Sequence, residues 1–128
     1  MSRVIALDHG EARCGVAVSD PTGELATPLA AVERPDTRRG LATVADLVRD
    51  QGAECVVVGL PLTLAGAEGE QALAARRFAD RLAEAVDVPV ELHDERLTTK
   101  MADRTGGDAD ADSRAAAHLL ESWLRGRP

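Results

Sequence analysis

The sequence predicts an α/β fold built on a mixed five-stranded sheet, with element order β-β-β-α-β-α-β-α and helices on its faces. Three observations carry this. Three apolar runs near the N-terminus are separated by only about five residues, too few for a helical crossover, so they must pair as antiparallel hairpins. The apolar period then changes to that of a helix. From there strand-like and helix-like runs alternate, the pattern of parallel β-α-β units.

The first run, Val4–Asp8, is apolar until its closing carboxylate. The second, Cys14–Ser19, alternates small and branched residues. The third, Glu24–Val32, follows Asp20-Pro21-Thr22-Gly23, which carries strong turn chemistry. Arg34-Pro35-Asp36 breaks that run, and Leu41, Val44, Ala45 and Val48 then fall at i, i+3, i+4 and i+7, one face of an amphipathic helix. Thr37 or Asp36 caps it and Gly52 ends it. Glu54–Leu60 is a continuous β-branched run, as expected for a strand buried on both faces amid parallel neighbours. Pro61–Gly69 reads as loop, Ala74, Phe78, Leu82 and Ala85 as one face of a second helix, and Val88–Leu92 as a fifth strand. Leu97–Arg104 has room for a short helix, and Gly106–Asp112 is acidic and of low complexity. Ala116, Leu119, Leu120, Trp123 and Leu124 mark the last helix. With 128 residues and no internal repeat, the expectation is one domain spanning residues 1–128.

Composition narrows the function. Hydrophobic residues make up 45% and charged residues 29%, the balance of a globular protein. No apolar run reaches the roughly 18 residues of a membrane span, and the N-terminal MSRVIALDHG runs directly into a charged turn, so neither a membrane nor a secretory leader is expected. Cys14 and Cys55 sit in apolar runs and are expected to be buried free thiols in a reducing cytoplasm. The formal net charge is −7, which argues against a broad electrostatic grip on nucleic acid but leaves a local one open. Fourteen of the fifteen basic residues are Arg beside abundant Ala, a coding bias rather than a sign of phosphate recognition.

Three carboxylates stand at element ends. Asp8 closes the first strand, Glu95 follows the fifth within His93-Asp94-Glu95-Arg96, and Asp112 starts the last helix. Carboxylates on rigid elements are the hard oxygen ligands that Mg²⁺ or Mn²⁺ prefers, and two such ions can activate water and stabilise a leaving oxygen. Structural readings stand beside this one: a turn-forming Asp8, a surface Glu95 and an N-capping Asp112.

Four segments weigh on that choice. Ile5–Asp20, IALDHGEARCGVAVSD, resembles the first motif of the YqgF/RuvX family of bacterial proteins similar to Holliday junction resolvases. Val57-Val58-Gly59-Leu60-Pro61-Leu62 with Gly66 resembles the second, Pro89-Val90 with Asp94-Glu95-Arg96-Leu97-Thr98-Thr99 the third, and Asp112-Ser113 before Ala115-Ala116 the fourth. The resemblance covers nearly the whole chain in the right order. It implies an RNase H-like fold with helices on both sheet faces. It also implies a nuclease acting in 5′-end maturation of pre-16S ribosomal RNA, with a proposed role at branched DNA. Carried over residue by residue, it places the catalytic and metal-binding site on Asp8, Glu95 and Asp112, with Mg²⁺ or Mn²⁺ as cofactor. Gly10 and Gly15 are expected to shape the turn after Asp8, and Gly59-Leu60-Pro61 the strand exit. Arg13 and Arg96 are expected to contact substrate phosphate, with a structural salt bridge the alternative for Arg13, and Thr98 a phosphate contact or a helix cap.

The chain departs from the family pattern after Thr99. The segment before Asp112 is short and carries Asp108 and Asp110 where the family often has a basic cluster, and Lys100-Met101 replace a commoner acidic pattern. Asp110 and Asp94 are alternatives to Asp112 and Glu95 as ligands. His9, His93 and His118 lack metal-ligand spacing, Trp123 is expected in the core, and two aromatic residues leave little for base stacking. The competing class is a non-catalytic module that binds precursor RNA or an rRNA-processing protein. An actin-like ATPase needs a second domain, and a receiver domain needs strand-helix alternation from the start.

Overall fold

The computed structural model describes residues 3–63, 65–95 and 109–126, the side chains of residues 109 and 110 excepted. Its elements follow the predicted order: β1 (Arg3–Asp8), β2 (Arg13–Ser19), β3 (Ala26–Glu33), α1 (Arg38–Asp50), β4 (Ala53–Leu60), α2 (Glu70–Ala85), β5 (Val90–Asp94) and α3 (Ala109–Arg125). The five strands form one sheet in the order β3-β2-β1-β4-β5. The β1–β2 and β2–β3 pairs are antiparallel, as the short gaps require. The β1–β4 and β4–β5 pairs are parallel.

Period-2 alternation along the strands divides the apolar residues between two cores. Ile5, Leu7, Val16, Val18, Val56 and Val58 face α1 and α2, where they pack on Val44, Ala45, Val48, Ala75, Phe78 and Leu82. Val4, Ala6, Ala17 and Val57 face α3, where they meet Ala116, Ala117, Leu119, Leu120 and Trp123. Helices therefore cover both faces, and the run Val56–Leu60 is buried from both sides.

Element ends differ from the sequence reading for identifiable reasons. β3 begins at Ala26 rather than Glu24, because the backbone N–H groups of Glu24 and Leu25 donate to the Asp20 carboxylate at 2.8 and 3.0 Å instead of joining the ladder. Thr37, not Asp36, caps α1: its Oγ1 accepts from the Gly40 N–H at 3.0 Å. Gly52, at φ +66°, turns the chain out of α1 in a conformation that favours glycine. β5 is Val90–Asp94 rather than Val88–Leu92, with Val90 opposite Val56 as its first ladder pair. α3 starts at Ala109, so Asp112 lies inside its first turn and is not an N-cap. Cys14 is buried as expected, but Cys55 is only half-buried at the border of the α3 core. The short helix expected at Leu97–Arg104, and most of the acidic stretch Gly106–Asp112, lie outside the described residues. No helix among the described residues is long and apolar enough to cross a membrane.

Candidate functional site

Alternation assigns the Asp8 side chain to the α3 side of the sheet, the side of Val4 and Ala6. At that level β1 is flanked by two glycines. Gly15 on β2 is the register partner of Asp8. Gly59 on β4 lies one residue beyond the Leu7–Val58 pair. Both glycines are there for space. A Cβ on Gly15 would stand 2.0 Å from the Asp112 carbonyl oxygen, so the first turn of α3 rests on bare backbone. A Cβ on Gly59 would stand 1.9 Å from Oε2 of Glu95, so that side chain lies across the glycine. The sequence reading gave Gly15 to the turn after Asp8. The structure instead uses it inside a strand, as a seat for a helix.

The consequence is convergence. Asp8 ends β1, Glu95 follows β5, and Asp112 comes down from α3. All three border one open cleft of about 530 Å³ at the carboxyl ends of the parallel strands, the place where α/β sheets present ligand sites. His9, Gly10, Glu11, Arg13, Asp36, Pro61, Glu70 and Gln71 also line it.

Arg13 opens β2 and its Nε donates to Oδ2 of Asp112 at 2.9 Å. Both side chains are about 30% exposed, at 29% and 31%. The structural salt bridge is thus what this structure shows for Arg13. The helix end it ties down is held a second time, by the Val16 N–H donating to Ser113 Oγ at 3.3 Å. Among the described residues, no three His, Cys, Asp or Glu side chains stand close enough together to hold a metal ion. Arg96 and Thr98 lie outside the described residues.

His9, which lacks metal-ligand spacing in the sequence, has a defined place in the cleft. Its Nε2 hydrogen-bonds both oxygens of Asp36, at 2.9 and 3.1 Å, and its ring packs on Phe78 with centroids 4.9 Å apart. Asp36 reaches the cleft because Arg34 adopts φ +45° between β3 and α1, with its N–H on the Ala12 carbonyl at 2.8 Å. Arg81 of α2 donates to the Asp36 carbonyl at 2.9 Å. Only the position of His9, directly after a strand-closing acid, hinted at this; its partner lies 27 residues away.

Two further groups sit outside the cleft. His93, opposite Gly59 in the ladder, hydrogen-bonds Ser122 at 3.1 Å. Its burial holds the imidazole below its ordinary value, against the upward pull of Asp94 and Glu91. Burial likewise pushes the Cys14 thiol far up, with Asp8, Asp36 and Asp112 adding to the effect, so it is no nucleophile.

Comparison with known proteins agrees with this architecture. A sequence profile described as "RuvX: Holliday junction resolvase" matches residues 2–126. A protein of Chloroflexus aggregans named "Putative pre-16S rRNA nuclease" is 46% identical, over 97% of this chain and 94% of its own length. One of the same name from Anaeromyxobacter sp. is 42% identical over 98% of both chains. Among solved structures, T. thermophilus RuvC in complex with a Holliday junction superposes with a TM-score of 0.58 at 18% identity, over 98% of this chain and 96% of that one. The fowlpox virus Holliday junction resolvase gives 0.55 at 13% identity, over 98% and 99%. At those identities the structures speak for the fold alone, which is RNase H-like. The sequence matches carry the assignment further: this chain belongs to the RuvX family of Holliday junction resolvase-like proteins.

Proposed function

We propose that this protein is a cytoplasmic, divalent-metal-dependent endonuclease that cuts precursor rRNA in 5′-end maturation of 16S rRNA, a step of ribosome biogenesis. The observation that carries the reading is the convergence of Asp8, Glu95 and Asp112 on one cleft, each brought there by a different element and two of them by a glycine seat. Relatives that match over nearly their whole length are named "Putative pre-16S rRNA nuclease", which supports the precursor rRNA as substrate. The family's description names branched DNA, which stands as the second substrate to test.

The donor set fits Mg²⁺ or Mn²⁺, being carboxylate oxygen throughout, with no imidazole or thiolate among the three. A bound ion would polarise the phosphodiester and lower the pKa of water. The chain's own residues do the rest. Asp8 and Glu95 would hold the ion from β1 and the end of β5, and Asp112 would join them by giving up its contact with Arg13. Arg13, and Arg96 beside Glu95, take phosphate oxygens, so a local basic contact replaces the broad positive surface that a net charge of −7 denies. His9, held by Asp36 and Phe78, forms one wall of the cleft and stiffens the chain directly after Asp8.

Cleavage of a labelled precursor rRNA fragment and of a DNA four-way junction, with Mn²⁺, Mg²⁺ or EDTA, tests this. Asp8→Asn is expected to lower cleavage about 10²- to 10³-fold with an unchanged melting curve; full cleavage by that variant would refute the acidic site. The Arg13–Asp112 pair favours one second reading, a non-catalytic module in which the acids are structural and the chain binds precursor RNA or a processing protein. Metal-independent RNA binding by a folded protein that never cuts would select it.

A further inference from the structure

We propose that Arg13 couples the binding of a phosphodiester to the binding of a divalent cation, by contesting Asp112 with the cation. The proposal rests on the acidic-cleft reading and adds to it an order of events. The backbones that carry the two side chains are fixed. Arg13 is in register with Glu33 at the start of β2. The first turn of α3 lies on Gly15, and the Val16 N–H ties it through Ser113. Exchange therefore involves side-chain rotation alone. The 2.9 Å contact neutralises the Asp112 carboxylate in the protein without substrate. That agrees with the finding that, among the described residues, no three acids are gathered round a point.

Each member of the pair has a better partner in the complete complex. A guanidinium fork matches two phosphate oxygens, and a carboxylate matches a hard cation. Phosphate that takes Arg13 frees Asp112 for the cation, and a cation that takes Asp112 frees Arg13 for phosphate. By linkage, each must strengthen the other by the same factor. The pair is about 30% exposed on both sides, so its strength is that of a partly screened ion pair, and the factor is about two- to fivefold. The free protein then holds its cation weakly, and the site completes itself on substrate.

The experiment titrates the full chain with Mn²⁺, read by electron paramagnetic resonance of free Mn²⁺, with and without a saturating 2′-O-methyl oligoribonucleotide as a cleavage-resistant phosphodiester. Wild type is expected to bind Mn²⁺ about two- to fivefold more tightly with the oligonucleotide. Arg13→Gln is expected to reach that tighter affinity without it and to show a coupling factor near one. Arg13→Lys keeps the charge but loses the fork, and is expected to fall between; it decides the matter if Arg13→Gln does not fold. Mn²⁺ affinity of Arg13→Gln at or below that of wild type overturns the proposal. So does an Arg13→Lys protein indistinguishable from wild type, since charge alone would then explain a tighter Gln variant. Asp8→Asn separates the two levels. If it loses Mn²⁺ while Arg13→Gln gains none, the cleft stands and the coupling falls. If it binds Mn²⁺ as wild type does, the acidic cleft itself is wrong and the coupling with it.

Discussion

Replacing Gly15 by Ala adds one methyl group at the point where the sheet and α3 touch backbone to backbone. The new carbon would lie 2.0 Å from the Asp112 carbonyl oxygen, 2.4 Å from its carbonyl carbon and 3.0 Å from the Ser113 nitrogen. The closest of these must open to at least 3.4 Å for ordinary contact, so α3 has to retreat by more than about 1 Å at its first turn, enough to forfeit a quarter or more of each dispersion contact it breaks. Neither partner is a flexible side chain that can swing aside. Overpacking of this kind costs about 1–3 kcal/mol, and loss of the Val16–Ser113 hydrogen bond adds about 1 kcal/mol. A total near 3 kcal/mol corresponds to roughly a 10 °C fall in Tm for a chain of this size. Urea titration and thermal melts would measure it, and cleavage should fall as well, since Asp112 rides on the displaced turn. A Gly15→Ala protein within about 0.5 kcal/mol of wild type would mean that α3 is not seated on β2 as described, and the placement of Asp112 would fail with it.

The other perturbations separate stability from function. At Gly59→Ala the three nearest atoms to the new methyl group all belong to the Glu95 side chain, which can rotate away. The variant's stability is expected to fall by about 1 kcal/mol or less, while cleavage drops about a hundredfold from misplacement of one carboxylate; a stability loss as large as that of Gly15→Ala, or unchanged cleavage, would contradict the account. Cys14 is buried with a suppressed thiolate, whereas Cys55 is half-buried and within 3.6 Å of Glu91. A thiol reagent should therefore label one cysteine per native chain and two in urea, and rapid labelling of Cys14 would speak against the core described. The Asp20 carboxyl is held below its ordinary 3.8, first by the Thr22 hydroxyl and then by the Leu25 and Glu24 N–H groups. Its contribution to stability is complete above that value and is lost as pH falls through the lower folded value. Asp20→Ala should be less stable than wild type at neutral pH, and the gap should close under strong acid.

The parts of this molecule that were legible in the sequence are those written in local spacing. Five-residue gaps forced hairpins, the period change at Leu41 announced α1, and the β-branched run of β4 announced a strand covered on both sides. Boundaries were less legible where a side chain competes with the ladder. Asp20 takes two N–H groups that β3 would otherwise use, and no period-2 count registers that competition. The start of α3 was misplaced by three residues because Ala109, Asp110 and Ala111 carry no apolar period of their own. The three acids could be named from motif resemblance, but not the way they meet.

That meeting depends on glycines more than on acids. Twenty-two carboxylates in 128 residues make any three of them unremarkable. Two glycines at one level of three adjacent strands, on either side of an Asp that ends the middle one, are far more restrictive. Each removes a Cβ from the α3 side of the sheet, and each space admits one more acid, by backbone at Gly15 and by side chain at Gly59. The sequence displays both glycines inside β-branched runs, where they weaken a strand unless something approaches it closely. What approaches comes from 97 residues downstream at Gly15 and 36 at Gly59, separations that no local pattern spans. The costs of those glycines to β2 and β4 are therefore best read as the condition for building the cleft, and the paired variants Gly15→Ala and Gly59→Ala divide that condition into its structural and its chemical half.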